Sequence, residues 1–124
     1  MKKILLVDDE PNIIMSLEYT FKKQNFEVFI ARDGQEALDI LKNEQPDLII
    51  LDIMMPKIDG YGVCQQAKAL SPKYQPKIVF ISAKIADSDI ERGYQAGADL
   101  YVPKPFSNRD LLKKVNELNL QSKN

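Results

Sequence analysis

Two stretches of this chain run from unbroken hydrocarbon straight into carboxylate. Ile4-Leu5-Leu6-Val7 ends at Asp8-Asp9-Glu10, and Leu48-Ile49-Ile50-Leu51 ends at Asp52, which Ile53, Met54 and Met55 follow. Desolvating an ionised carboxylate among such neighbours is expensive unless a counter-charge or a metal meets it, so Asp52 calls for a partner. Acids that converge also repel and raise one another's pKa, a conflict that a divalent cation removes. All-oxygen donors at a water-accessible rim suit Mg²⁺, which takes one or two carboxylates and keeps several waters and a phosphate oxygen. Ser82 after Ile78-Val79-Phe80-Ile81, and Lys104 between Pro103 and Pro105, leave apolar runs in the same way. A hydroxyl donor and an ammonium over an acid-bound cation form an anion clamp, and a phosphoryl group is the ligand that completes it. Singly, each residue has a plainer reading: Asp-rich loops are mostly solvated or capping, a strand-end Ser is a turn residue, and a lone Lys is a solvated cation. The combination is what points to chemistry. Lys104-Pro105 is also a candidate for a cis peptide, since only an X-Pro bond adopts that isomer cheaply.

The elements that must position these groups follow from the apolar pattern. Short, β-branched-rich runs at residues 4–7, 28–31, 48–51, 78–81 and 100–102 alternate with longer segments of helical spacing. That alternation is the signature of a parallel sheet with crossover helices, and runs without polar alternation suit strands covered on both faces. Pro11 suits a first helical turn, with Ile13, Ile14, Leu17 and Phe21 forming one stripe that ends near Asn25. Asp33 with Glu36 reads as a capping-box-like start, and Ala37, Leu38 and Leu41 face inward before Pro46. Asp59 caps a third helix carrying Val63, Ala67 and Leu70, ended by Ser71-Pro72, and a rather long loop passes Tyr74 and Pro76. The fourth helix has a thin apolar face with Gly93 inside it and Gly97 as its C-terminal cap, so it is expected to be mobile. Ser107 with Asp110 opens the fifth, where Phe106 can staple to Leu111 and Leu111, Leu112, Val115 and Leu118 form the stripe. Right-handed crossovers make a doubly wound open α/β sheet the natural architecture, with ligands outside the carboxyl ends of the strands.

Composition narrows the function. The 124 residues suit one domain, and 44% hydrophobic with 28% charged residues excludes a disordered tail or a coiled-coil rod. Lys and Arg number 17 against 18 Asp and Glu, a net charge of −1 that supplies no field for nucleic acid or an anionic membrane. No apolar run approaches the roughly 20 residues that span a bilayer. Met1-Lys2-Lys3 leads into four apolar residues before Asp8, too few for a signal peptide. The single cysteine, Cys64, cannot form an internal disulfide, and the expected compartment is the cytoplasm. With Val63, Ala67 and Leu70 at helical spacing, and no His in the chain, Cys64 reads as core packing.

The blocks Ile4-Leu5-Leu6-Val7-Asp8-Asp9-Glu10-Pro11, Leu51-Asp52-Ile53-Met54-Met55-Pro56, Asp59-Gly60, Ile81-Ser82-Ala83 and Val102-Pro103-Lys104-Pro105-Phe106 stand in this order at fitting spacings. Together they resemble the receiver domain of two-component response regulators, in the single-domain, chemotaxis-regulator-like form, from about residue 3 to about residue 118. The resemblance implies a flavodoxin-like sheet of five parallel strands in the order 2-1-3-4-5 with five helices. It implies one receiver domain over residues 1–120, with a polar C-terminal end at 121–124. It makes Asp52 the phosphoryl acceptor, and Asp8, Asp9, Asp52 and the backbone carbonyl of Met54 the Mg²⁺ ligands, Asp9 directly and Asp8 more often through water. Lys104 would pair with the acyl phosphate, Ser82 would donate to a phosphoryl oxygen, and Ser82 with Tyr101 would form the switch. Pro56, Asp59 and Gly60 would shape the loop and cap the third helix.

The implied reaction is in-line attack by Asp52 on phosphorus presented by a sensor histidine kinase, a histidine phosphotransfer protein or a small acyl phosphate. The protein would catalyse its own phosphorylation and dephosphorylation while being primarily regulatory, with water access tuned at Met54 and Lys84. Ser82 moving toward the phosphoryl group would drag the loop before the fourth helix and let Tyr101 turn inward. The face formed by the fourth helix, fifth strand and fifth helix would then control a downstream protein, an output domain or a phosphorylation-dependent dimer. Tyr101 by position alone equally suits core filling.

Other readings compete. A dinucleotide- or flavin-binding enzyme wants glycines and free N–H groups in the first loop, where Asp8-Asp9-Glu10-Pro11-Asn12 stands instead. An aspartate phosphatase usually wants a second acid two residues after the nucleophile, where this chain has Met54. A pseudo-receiver, an interaction module without phosphotransfer, would have lost an acid or the lysine, and all are present.

Overall fold

Side chains of a strand alternate between two faces, so a strand apolar throughout must be covered on both. The computed structural model of the chain shows this in β1 (Lys3–Val7), β3 (Leu48–Asp52) and β4 (Lys77–Ser82). Leu5, Val7, Ile49, Leu51, Ile78 and Phe80 belong to one core cluster, while Ile4, Leu6, Leu48, Ile50, Val79 and Ile81 belong to the other. The structure describes residues 1–55 and 57–118, so the loop-shaping role expected of Pro56 and the polar end at 121–124 lie outside the described residues.

The sheet has five strands in the order β2-β1-β3-β4-β5, every pairing parallel, with β2 (Glu27–Ala31) and β5 (Leu100–Pro103) at its edges. The strands outrun their apolar stretches by a residue or two, because ladder hydrogen bonds ask nothing of the side chain. Lys3 pairs with Glu27 at one end, and Asp52 and Ser82 remain in their strands at the other.

On one face of the sheet, α1 (Pro11–Lys23) buries Ile14, Leu17 and Phe21, and α5 (Asn108–Glu117) buries Leu111 and Val115. On the other, α2 (Gly34–Glu44) buries Ala37, Leu38 and Leu41, and α3 (Gly60–Ala69) buries Val63, Cys64 and Ala67. The caps fall where the sequence puts them. Asp33, Asp59 and Ser107 accept from the N–H groups of Glu36, Gly62 and Asp110 at 2.9, 3.0 and 3.0 Å. In turn Glu36 Oε1 accepts from the N–H of Arg32, one residue upstream of the cap, at 3.2 Å. Phe106 packs against the cluster that holds Leu111.

The apolar stripe of α3 is shorter than expected. The helix stops at Ala69 and Leu70, its C-terminal cap, is exposed. Tyr74 fills in from the following loop, buried with its hydroxyl donating to the Pro46 carbonyl at 2.7 Å, so that long loop is pinned to the body. In α4 (Asp87–Ala96) the one buried residue is Gly93. A Cβ there would lie 2.9 Å from the Tyr101 ring and 3.0 Å from the Phe80 ring, so the glycine lets the helix backbone rest on both. Gly97 ends α4 at φ 115°, the left-handed cap expected of it.

Gly60 is the glycine that most directly supports the sheet's carboxyl edge. Its N–H donates to Ile53 at 3.0 Å, and a Cβ would stand 2.7 Å from both the Asp52 carbonyl and the Ile53 Cα, backbone that cannot swing aside. Gly60→Ala should lower unfolding stability by about 1–3 kcal/mol in urea denaturation, the usual range for overpacking.

Candidate functional site

The strand register brings the chemistry together. Val7 pairs with Leu51, Asp52 with Ile81, and Ser82 with Pro103, so Asp8, Asp52, Ser82 and Lys104 follow one another along the carboxyl edge. Asp8, Asp52 and Ser82 are the buried polar side chains among the described residues, while Asp9 is exposed at the rim. Carboxylate oxygens of Asp8, Asp9 and Asp52 lie within 4.8 Å of one another. Acids far apart in the chain thus share one crevice, as expected.

Within it the hydrogen bonds are few. Asp8 Oδ1 accepts from the Glu10 N–H at 2.9 Å and Asp52 Oδ1 from the Met54 N–H at 3.3 Å. The Lys104 ammonium lies 3.1 Å from Asp8 Oδ2 and 3.5 Å from Asp52 Oδ2, and it donates its hydrogen bond to Glu10 Oε1 at 2.9 Å. Asp8 Oδ2 is fully buried and accepts no hydrogen bond among the described residues. Its contact with Lys104 is an ion pair without the alignment of a hydrogen bond. A buried carboxylate oxygen with spare lone pairs, flanked by two further acids, fits a hard divalent cation such as Mg²⁺. The Lys104-Pro105 bond is cis.

Ser82 and Tyr101 meet at one peptide unit. Ser82 Oγ accepts from the Lys84 N–H at 3.0 Å, and the Tyr101 hydroxyl donates to the Lys84 carbonyl at 2.7 Å. Tyr101 is buried, its ring edge-on to Phe80 at 6.2 Å. The ring is turned inward in this structure, and Gly93 leaves room for it under α4. Met54 is exposed in the loop after Asp52, and Lys84 is exposed across from it, both lining one opening of about 370 Å³. Cys64 is buried, donates to the Ala96 carbonyl at 3.3 Å, and burial pushes its thiol up to about 11, which suits packing and not nucleophilic chemistry.

Two features were not read from the sequence. Glu10 stands 94 residues from Lys104, and no spacing could signal that pair. Tyr61, on α3, packs edge-on to Phe80 at 5.6 Å and donates to the Asp89 carbonyl of α4 at 3.2 Å, with the Arg92 guanidinium 4.0 Å above its ring.

The chain is similar to known proteins over nearly its whole length. The family model described as response regulator receiver domain matches residues 4–116. A CheY-like receiver domain protein of Methanospirillum hungatei is 32% identical over 95% of this chain and 93% of its own, with a TM-score of 0.88. Chemotaxis protein CheY4 of Vibrio cholerae is 29% identical over 94% and 98%, with a TM-score of 0.87. The BeF3-activated N-terminal receiver domain of RstA from Klebsiella pneumoniae is 27% identical over 98% and 100%, with a TM-score of 0.86.

The acids carry a strain that pH reports. Burial first, and then the Asp8 charge, push Asp52 from 3.8 up to about 6, against the pull of Lys104 and the Met54 N–H. Burial likewise raises Asp8, offset by the Glu10 N–H and Lys104. Burial works against the Lys104 charge, but Glu10, Asp8 and Asp52 together lift it to about 12. A carboxyl whose folded pKa is raised holds its proton while the unfolded chain ionises, so stability falls as pH rises through that window. Without divalent cation, unfolding free energy should drop by roughly 1–3 kcal/mol between about pH 4 and pH 6. Asp52→Asn should flatten that slope and be the more stable protein at pH 7, as read by urea melts in EDTA.

Proposed function

The chain belongs to the response regulator receiver domain family, and on that footing we propose that residues 1–120 form a phosphorylation-activated switch with Asp52 as its phosphoryl acceptor. The observation that carries this is the convergence of Asp8, Asp9, Asp52 and Lys104 on one crevice. Asp8, Asp9, Asp52 and the Met54 carbonyl would hold Mg²⁺, which when bound neutralises phosphoryl oxygens. An Asp52 oxygen attacks phosphorus in line, forming the acyl phosphate P–O bond as the donor's P–N or P–O bond breaks. Lys104 takes one phosphoryl oxygen by charge, and Ser82 donates its hydroxyl to another. The elevated pKa of Asp52 reflects a site that disfavours unneutralised negative charge, so the doubly charged phosphoryl group of the mixed anhydride would depend on the cation and Lys104 to neutralise it. Hydrolysis returns the switch to rest, with the exposed Met54 and Lys84 side chains flanking the path of the water.

Signal leaves through the Lys84 peptide. When Ser82 turns its hydroxyl to the phosphoryl group, Oγ gives up the Lys84 N–H, and the carbonyl that holds Tyr101 shifts with it. The ring, packed against Gly93, passes that shift to α4, whose buried surface is small enough to let it move. The altered face of α4, β5 and α5 would act on a downstream protein, an output domain or a second copy. A sensor histidine kinase or a histidine phosphotransfer protein would supply the phosphoryl group. A cytoplasmic setting would suit the single buried free cysteine. Among the described residues no helix is long and apolar enough to cross a membrane.

Incubation with acetyl phosphate and Mg²⁺ should add the mass of one phosphate to the intact chain. The adduct should be lost in Asp52→Asn and suppressed by EDTA. An unchanged wild-type mass would favour the pseudo-receiver reading, a binding module without phosphotransfer.

A further inference from the structure

The hydrogen bonding of Lys104 does not go where the proposed reaction needs it. Its ammonium donates to Glu10 Oε1 at 2.9 Å and stands 3.5 Å from Asp52 Oδ2. Both backbones are anchored. The Glu10 N–H donates to Asp8 Oδ1 at 2.9 Å and its carbonyl accepts from Ile14 at 3.2 Å as α1 begins, while the Lys104 N–H donates to the Ser82 carbonyl at 2.8 Å. Fixed backbones at both residues and a largely buried Lys104 side chain lower the entropy lost when the pair forms, although the Glu10 side chain is itself exposed. The Glu10 side chain is spare for this purpose, because it makes no capping bond to α1.

We infer that Glu10 is a positioning residue that draws the Lys104 ammonium toward the rim of the crevice, and so keeps its pairing with Asp8 and Asp52 loose enough for a divalent cation to compete for those oxygens. This rests on reading the crevice as a metal and phosphoryl site. The ammonium already stands 3.1 and 3.5 Å from carboxylate oxygens of Asp8 and Asp52, and without the outward pull of Glu10 it would settle more closely on them. A cation drawn onto those oxygens competes with a metal for the same lone pairs. Glu10 thus acts through Lys104, and its effect should vanish when Lys104 is gone.

The test is calorimetric titration of the unphosphorylated chain with Mg²⁺ in wild type, Glu10→Gln, Lys104→Met and the double variant. Glu10→Gln should weaken Mg²⁺ binding about two- to fivefold, a size set by the exposure of Glu10. In the Lys104→Met background it should change binding little. Unchanged binding in the single variant, or an equal loss in both backgrounds, would mean that Glu10 acts as a plain charge and would overturn the proposal. A second readout needs neither metal nor phosphate: the ¹³C resonance of the Lys104 ε-carbon should shift in metal-free Glu10→Gln. An unmoved resonance sinks the inference whatever the acetyl phosphate experiment returns. A shifted resonance with weakened Mg²⁺ binding in a chain that takes no phosphate would leave it standing and remove the phosphotransfer reading instead.

Discussion

Everything at the carboxyl edge of this sheet depends on carboxylates held together where water cannot screen them. Asp8 and Asp52 are set by the parallel register of β1 and β3 and cannot separate without breaking that ladder. Their proximity is electrostatically unfavourable, and Lys104 relieves only part of it, since Asp52 keeps a raised pKa. The fold's hydrophobic stability therefore maintains a local conflict, and charge neutralisation at this edge is the event that resolves it. A site under such tension responds strongly to a cation or a change in the charge of one acid, which is what a switch requires.

The tension is connected to the surface by aromatic packing. Phe80, on β4, packs edge-on to both Tyr61 and Tyr101, and α4 rests on Phe80 and Tyr101 at Gly93. Two phenol hydroxyls tie this stack to backbone carbonyls, Tyr101 to Lys84 and Tyr61 to Asp89. Since Gly93 is the one buried residue of α4, these rings and bonds, with Arg92 over Tyr61, do much of the work of locating the helix. The glycine that marks α4 as a weak helix in sequence is also the residue that lets it sit on the rings. Low intrinsic propensity and close approach are two consequences of the same missing Cβ.

Core packing and turn chemistry were largely legible, and the reasons differ by element. The strands announce themselves because doubly covered β-structure has no solvent face to require polar residues. The caps at Asp33, Asp59 and Ser107 are local, each bond spanning three residues, so spacing alone identifies them. Leu70 misleads because helical spacing does not say where a helix ends relative to the sheet beneath it. Tyr74, outside any helix, covers ground that the stripe was expected to cover. The orientation of Tyr101 was beyond reach for a similar reason, since a rotamer is chosen by neighbours, here Phe80 and Gly93, that are distant in sequence.

By itself the order of residues determined the elements, the edge on which function would lie and the acids, hydroxyl and ammonium that belong to it. Those conclusions rest on burial cost and on short-range geometry, both of which are written locally. Tertiary structure alone decided which oxygen of Asp8 is left without a hydrogen bond, that the lysine bonds to Glu10, and that the tyrosine ring is already inside. Each of these is a competition among groups from different strands and helices. A balance of distances of a few tenths of an ångström between chain-distant atoms has no local signature.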